Sequence, residues 1–296
     1  MIQPPYLKKG DKIAIIASAR KISKEELEPA VAMLKNWGLE VVFGKNLFNA
    51  DHQFSGTDAE RAADLQEMLD DTSVKAIISA RGGYGTVRII DAIDFTKFKQ
   101  HPKWVIGYSD ITVLHSHIHN MGIQTLHATM PINFTKHEEA TETLRKFLFG
   151  ETINYTFESH SLNRTGNAEG ILVGGNLSLI YALCGSASDI DTSNKILFIE
   201  DLDEYLYHVD RMMINLKRSG KLSKLAGLLV GGMSDMKDNT IPFGKTAEEI
   251  ILDAVKEYRY PVCFNFPCGH IDENLAVVLG KKMKLSVTDE NSSLTY

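Results

Sequence analysis

Apolar runs of strand length alternate with amphipathic segments through residues 1–132. Lys12–Ser18 is nearly continuous in apolar character, the pattern of a buried strand. Ser23–Trp37 puts Leu27, Ala30, Val31 and Leu34 on one helical face, and Gly38 closes that helix. Glu40–Phe43 predicts a second strand, and Thr57–Leu69 a second helix opened by a Thr or Asp cap. Val74–Ser79 and Trp104–Gly107 predict two further strands, with a helix between them over Val87–Ile93. Strands alternating with helices imply a parallel sheet covered on both faces. The working loops of such a sheet lie at the carboxyl ends of its strands. The glycine-bearing segments Ala80–Gly85 and Gly107–Asp110 fall there.

The alternation lapses over 133–166, where polar and charged residues dominate, and a connection with one short helix is expected. Residues 167–296 resume with a different rhythm. Strands are predicted at Glu169–Val173, Lys195–Glu200 and Gly227–Gly231, and helices at Asn176–Cys184, His208–Arg218 and Thr246–Tyr258. Short strands follow near Val262–Phe264, Ala276–Leu279 and Met283–Val287. The reading is therefore α/β, a parallel-sheet domain over 1–132 followed by a mixed, β-rich domain over 167–296.

Composition narrows the functional classes. With 32 Lys and Arg against 38 Asp and Glu, the net charge is −6. That balance argues against bulk nucleic-acid binding and against docking on an anionic membrane. No stretch approaches the roughly 20 apolar residues of a membrane span. The N-terminus reads as a lead into a first strand rather than a signal peptide. Three cysteines, Cys184, Cys263 and Cys268, make no even framework and read as free thiols in a reducing cytoplasm.

The richest chemistry lies in Lys103–His119, KWVIGYSDITVLHSHIH. An apolar strand ends in Gly107-Tyr108-Ser109-Asp110 and a helix begins at once. A sharp strand-to-helix turn lifts a hydroxyl clear of the backbone and leaves amide N–H groups beside it, as a nucleophilic serine requires. A serine here is also an ordinary helix N-cap. The fifth position is Ile111, so G-x-S-x-G and the ordinary α/β-hydrolase are not indicated. Arg81-Gly82-Gly83-Tyr84-Gly85 permits three readings: a structural turn, a phosphate cradle, or an oxyanion hole beside Ser109. Glu200, at the end of an apolar strand, is a candidate to orient a histidine, and Glu204 is its rival. His270 sits in a Cys-Gly-His turn. His115 and His119 share a helical face and fit either metal binding or packing.

Taken in order, Gly10-Asp11-Lys12, Arg81–Gly85, Gly107–Thr112, Gly174-Gly175-Asn176-Leu177, Ile199-Glu200-Asp201 and Gly269-His270 make the chain resemble the LD-carboxypeptidase family of serine peptidases. The resemblance runs along almost the whole chain. It implies a flavodoxin-like, Rossmann-like N-terminal domain, a β-rich C-terminal domain, and a cleft between them. It implies a triad of Ser109 as nucleophile, His270 as general base and acid, and Glu200 as the orienting carboxylate. Amides of Gly83 and Asp110 would form the oxyanion hole. Tyr84, Asn176 and Arg81 would line the site, with Arg81 or Arg88 available for a substrate carboxylate. The implied enzyme is a cytoplasmic homodimer that needs no metal or other cofactor. The implied reaction removes terminal D-alanine from a murein tetrapeptide, at its bond to an L-diamino acid. Some family members cleave acyl-adenylate mimics and carry an extra loop; the compact stretch from Glu200 to Gly227 favours the murein peptide. The competing class is a nucleotide- or flavin-binding module built on the Arg81–Gly85 loop. An inactive scaffold would have no need of serine, acid and histidine together.

Overall fold

A computed structural model describes residues 1–296. In chain order the elements are β1 (Lys12–Ile16), α1 (Lys24–Asn36), β2 (Glu40–Phe43), α2 (Asp58–Asp70), β3 (Val74–Ser79), α3 (Thr96–Gln100), β4 (Trp104–Gly107), α4 (Thr112–Asn120), β5 (Thr125–His127) and α5 (Glu138–Leu148). Then come β6 (Tyr155–Glu158), β7 (Gly166–Asn176), α6 (Leu177–Leu183), β8 (Lys195–Leu202), α7 (Leu206–Arg218), β9 (Gly227–Ser234), α8 (Ala247–Ala254), β10 (Val262–Cys263), β11 (Val277–Leu279), β12 (Lys282–Val287) and β13 (Asn291–Thr295).

Two sheets organise the molecule. The first runs β2-β1-β3-β4-β5-β11, parallel throughout except for β11, which lies antiparallel on β5. The order 2-1-3-4-5 is that of flavodoxin-like folds, which bind ligands where the strand order reverses, between β1 and β3. The second sheet runs β10-β9-β8-β7-β12-β13-β6, parallel from β10 to β7 and antiparallel beyond. The expected α/β class with a parallel first sheet and a mixed second one is the class observed. No helix is long and apolar enough to cross a membrane.

Local chemistry explains most boundaries. Ser23, Thr57 and Thr246 each cap a helix through a capping box with a glutamate three residues on. The central strands of the first sheet are buried on both faces, which is why they read as continuous apolar runs.

Three expectations are corrected. Val87–Ile93 is not a helix but two 3₁₀ turns, Thr86–Arg88 and Ile90–Ala92. The Thr86 N–H is taken by the Asp110 carboxylate at 2.8 Å and its hydroxyl meets Ser18 Oγ at 2.8 Å, so the segment is pinned to its neighbours. The connection 133–166 carries a strand as well as a helix: β6, half polar, pairs with β13 at a sheet edge. And β11, which follows residue 167, is the edge strand of the first sheet rather than part of the second.

Candidate active site

The carboxyl ends of four first-sheet strands converge on one cleft. Arg20 follows β1, Arg81–Gly83 follow β3, Ser109 follows β4 and Met130 follows β5; all of them line a cavity of about 480 Å³. His270, from the turn after β10, closes it from the side of the second sheet. Beyond His270 the cleft continues into a smaller chamber of about 190 Å³. A cavity of about 550 Å³ on the far side of the His270 turn holds neither the serine nor the histidine.

Ser109 opens a 3₁₀ turn that runs straight into α4. Its φ is +63°, a left-handed conformation in which a side chain crowds its own carbonyl. Such strain costs roughly 1–3 kcal/mol and persists only where surrounding structure enforces it. Here β4 enforces it from one side and α4 from the other. The serine makes no N-cap hydrogen bond; its hydroxyl meets His270 Nε2 at 3.0 Å instead.

His270 Nδ1 lies 2.6 Å from Glu200 Oε2, and the His270 backbone N–H donates to that same oxygen at 3.0 Å. A carboxylate accepts only, so Nδ1 carries the proton and Nε2 is left to accept from Ser109. Burial pulls the imidazole pKa down, but the charge and hydrogen bond of Glu200 outweigh it, leaving the ring above its ordinary value. Glu200 is fully buried. It sits where the pairing of β8 with β9 slips between Ile199 and Asp201, a bulge that re-aims the carboxylate. Gly269 makes the approach possible. Its φ is +108°, and a Cβ there would fall 2.6 Å from Glu200 Cβ.

Glu204 is placed elsewhere. It pairs with His208 Nδ1 at 2.5 Å and accepts from Ser178 Oγ at 2.9 Å, which leaves Glu200 as the acid on His270. Its neighbour Asp201 points the other way, accepting from Asn176 Nδ2 at 2.8 Å and from the Ser178 N–H and hydroxyl at 2.9 and 2.8 Å. Burial, then the charge of Glu200, pushes Asp201 up to about 6.

The other anticipated residues divide. The Gly83 N–H meets no protein acceptor, and Gly83 lines the cleft. The Asp110 side chain is buried and faces away, its carboxylate on Thr86 N; only its backbone is adjacent to Ser109. Arg81 lines the cleft, its guanidinium 3.3 Å from Lys21 O and 3.8 Å from Glu26. Arg88 does not: it forks onto Asp58 at 2.6–3.0 Å. Tyr84 is 49% exposed and leans towards Phe54, outside the cleft. Asn176 is corrected too: it is buried, caps α6 through Leu179 N and donates to Asp201, so it does not line the cleft. His115 is spent on Thr125 Oγ1 and Gly107 O, both at 2.8 Å. No group of three metal-ligating side chains is present.

Several cleft residues escaped sequence reasoning. Tyr108 stacks obliquely on His270 with ring centres 4.9 Å apart, and its hydroxyl accepts from Asn133 at 2.8 Å. Burial and the Glu200 charge push that phenol up to about 12, so it stays neutral. Arg20 lays its stem against Gly83, and Lys136 stands at the mouth of the smaller chamber.

This geometry has counterparts. Residues 13–128 match the LD-carboxypeptidase N-terminal domain and residues 169–285 the LD-carboxypeptidase C-terminal domain. The chain belongs to the LD-carboxypeptidase family. It is thereby a carboxypeptidase of the serine type. One relative of this LD-carboxypeptidase, a probable murein peptide carboxypeptidase of Bacillus subtilis, is 40% identical over 98% of this chain and 93% of its own. Another, the microcin C7 self-immunity protein MccF of Escherichia coli, is 25% identical over 97% and 93%. The crystal structure of muramoyltetrapeptide carboxypeptidase from Oxalobacter formigenes superposes with a TM-score of 0.86 at 27% identity, covering 96% of this chain and 97% of that one.

Proposed function

We propose that this LD-carboxypeptidase hydrolyses the amide bond between an L-diamino acid and the terminal D-alanine of murein tetrapeptides, with Ser109, His270 and Glu200 as its catalytic triad. The observation that carries the reading is the unbroken relay from Ser109 Oγ through both ring nitrogens of His270 to buried Glu200, at 3.0 and 2.6 Å. The substrate follows from the resemblance and from the likeness to the probable murein peptide carboxypeptidase of Bacillus subtilis.

The steps follow from the protonation states. His270 Nε2 takes the Ser109 proton as Oγ attacks the carbonyl carbon of the diamino acid. The resulting oxyanion is held by the N–H groups of Gly83 and Asp110. Imidazolium His270, stabilised by Glu200, passes its proton to the departing nitrogen; the C–N bond breaks and D-alanine leaves. Water, giving a proton to His270, then attacks the serine ester; the acyl C–Oγ bond breaks and His270 returns the proton to Ser109 Oγ. Residues 1–132 supply the nucleophile, 167–296 the acid and base, and 133–166 join them. The resemblance further implies a cytoplasmic homodimer without metal or other cofactor, and the three free thiols fit a reducing compartment.

Mass spectrometry of L-Ala-γ-D-Glu-L-Lys-D-Ala and its diaminopimelate counterpart, incubated with wild type and Ser109→Ala, tests this. Loss of one D-alanine is expected with wild type, and a fall of about 10⁶-fold in kcat for the variant. Retention of more than a tenth of the activity by Ser109→Ala overturns the triad. Survival of both peptides beside cleavage of an acyl-sulfamoyl adenylate overturns the substrate and leaves the triad standing.

A further inference from the structure

The triad fixes which side of the cleft receives the leaving group. His270 must deliver a proton to the departing nitrogen, so the terminal amino acid lies on the His270 side and the acyl part towards Gly82 and Gly83. On the His270 side lies the chamber of about 190 Å³, bordered by Tyr108, Asn133, Lys136 and Asn274. It is less than half the volume of the cleft over Ser109 and has room for a small amino acid.

One cation serves that chamber. Lys136 lies in the turn between the Pro131–Asn133 3₁₀ segment and α5, held by its own N–H to Asn133 O at 2.9 Å. It borders both the chamber and the wider cleft over Ser109. Its ammonium forms no ion pair within the protein and is free to meet a ligand. Arg20 and Arg81 border only the wider cleft, and Arg81 is already shared with Glu26 and Lys21 O. Asp272 also borders the chamber, and it carries the opposite charge.

We propose that Lys136 is the specificity-determining residue that binds the terminal carboxylate of the substrate, and so restricts cleavage to the last residue of a peptide. This rests on the proposed LD-carboxypeptidase reaction. An internal peptide bond presents a neutral carbonyl to Lys136 in place of a carboxylate.

The test compares L-Ala-γ-D-Glu-L-Lys-D-Ala with the same peptide ending in a carboxamide, for wild type, Lys136→Met and Lys136→Arg. A charge-assisted hydrogen bond to an ionised group translates into roughly 10- to 100-fold. Wild type is expected to prefer the free acid by that factor in kcat/KM. Lys136→Met is expected to lose the preference through a raised KM for the acid, with the amide unchanged, and Lys136→Arg to keep most of it. A preference undiminished in Lys136→Met, or one abolished instead by Arg20→Met or Arg81→Met, overturns the proposal while leaving the reaction intact. Absence of D-alanine release by wild type overturns the underlying reaction instead. Equal loss on acid and amide would make Lys136 structural and likewise overturns the assignment.

Discussion

Glu200→Gln isolates what the buried carboxylate does for His270. Glu200 Oε2 accepts two hydrogen bonds, from His270 Nδ1 at 2.6 Å and from the His270 backbone N–H at 3.0 Å. The backbone donor cannot reverse its role. A glutamine must therefore present its amide oxygen at that position, which keeps the proton on Nδ1 and leaves Nε2 free to accept from Ser109. The amide NH₂ then occupies the place of Oε1, which is buried without a partner. The variant keeps the tautomer and loses the charge. Exchanging a charge-assisted hydrogen bond for a neutral one forfeits about 1–1.5 kcal/mol of imidazolium stabilisation, which is about tenfold in kcat.

The sign of the pH effect follows from the competing influences on His270. Burial lowers its pKa, and the charge and hydrogen bond of Glu200 raise it above the ordinary value. With the charge removed, burial prevails and the imidazole pKa falls. The neutral base therefore survives to more acidic pH, and the acid limb of kcat/KM moves down. Steady-state D-alanine release between pH 4.5 and 8.5, on wild type and Glu200→Gln, reads both effects. An acid limb that stays in place or moves up refutes the argument. A loss beyond about 10⁴-fold refutes the tautomer step, because that is the scale of a misplaced imidazole proton in serine proteases.

Other perturbations probe different links. Gly82→Ala would set a methyl 3.1 Å from Ser109 Oγ and 3.3 Å from Met130 Cε, in the space a substrate carbonyl must enter. We expect kcat/KM to drop about 10²-fold with little change in Tm, and activity within threefold of wild type would contradict the geometry. Asp201→Ala strips acceptors from Asn176 Nδ2 and from the Ser178 N–H and hydroxyl. It should cost about 2–4 kcal/mol, measured by urea unfolding at pH 7. The Asp201 carboxyl is raised from 3.8 to about 6 in the folded protein, so its protonation adds stability at low pH. That contribution fades as pH rises through about 6, so the gap between wild type and Asp201→Ala narrows over that interval.

The sequence made the first sheet readable because its strands are buried on both faces, which leaves unbroken apolar runs. It made β6 unreadable for the opposite reason: Tyr155-Thr156-Phe157-Glu158 is an edge strand with one polar face, set in a polar stretch. Glu200 and Glu204 both follow the same apolar run, and spacing does not separate them. The bulge beside Ile199 does, and it arises from pairing with β9, some thirty residues away in sequence. Asn176 looked like a site residue because two glycines precede it. Those glycines instead admit the Phe198 carbonyl and the Thr112 hydroxyl, where a Cβ would fall 1.9 and 2.6 Å away. Arg20 and Lys136 were illegible because nothing local distinguishes a loop cation that faces a cleft from one that faces water. Arg20 has a signal only in retrospect: a second glycine at 83 leaves room for its stem.

The proposed triad draws Ser109 from one sheet and Glu200 and His270 from the side of the other, an arrangement that ordinarily invites hinge motion between domains. Strand β11 argues against that here. It leaves the His270 turn and enters the first sheet beside β5, pairing Val277, Val278 and Leu279 with His127, Leu126 and Thr125. The turn itself is tied at both ends: Asn274 Oδ1 accepts from Gly269 N at 2.8 Å, and Cys268 Sγ lies 3.3 Å from His127 Nδ1, in the strand next to β4. His270 is thus anchored to the sheet that carries Ser109, and Glu200 meets it across Gly269. A 3.0 Å contact between Ser109 and His270 can be held in the absence of substrate because the chain crosses back before it ends.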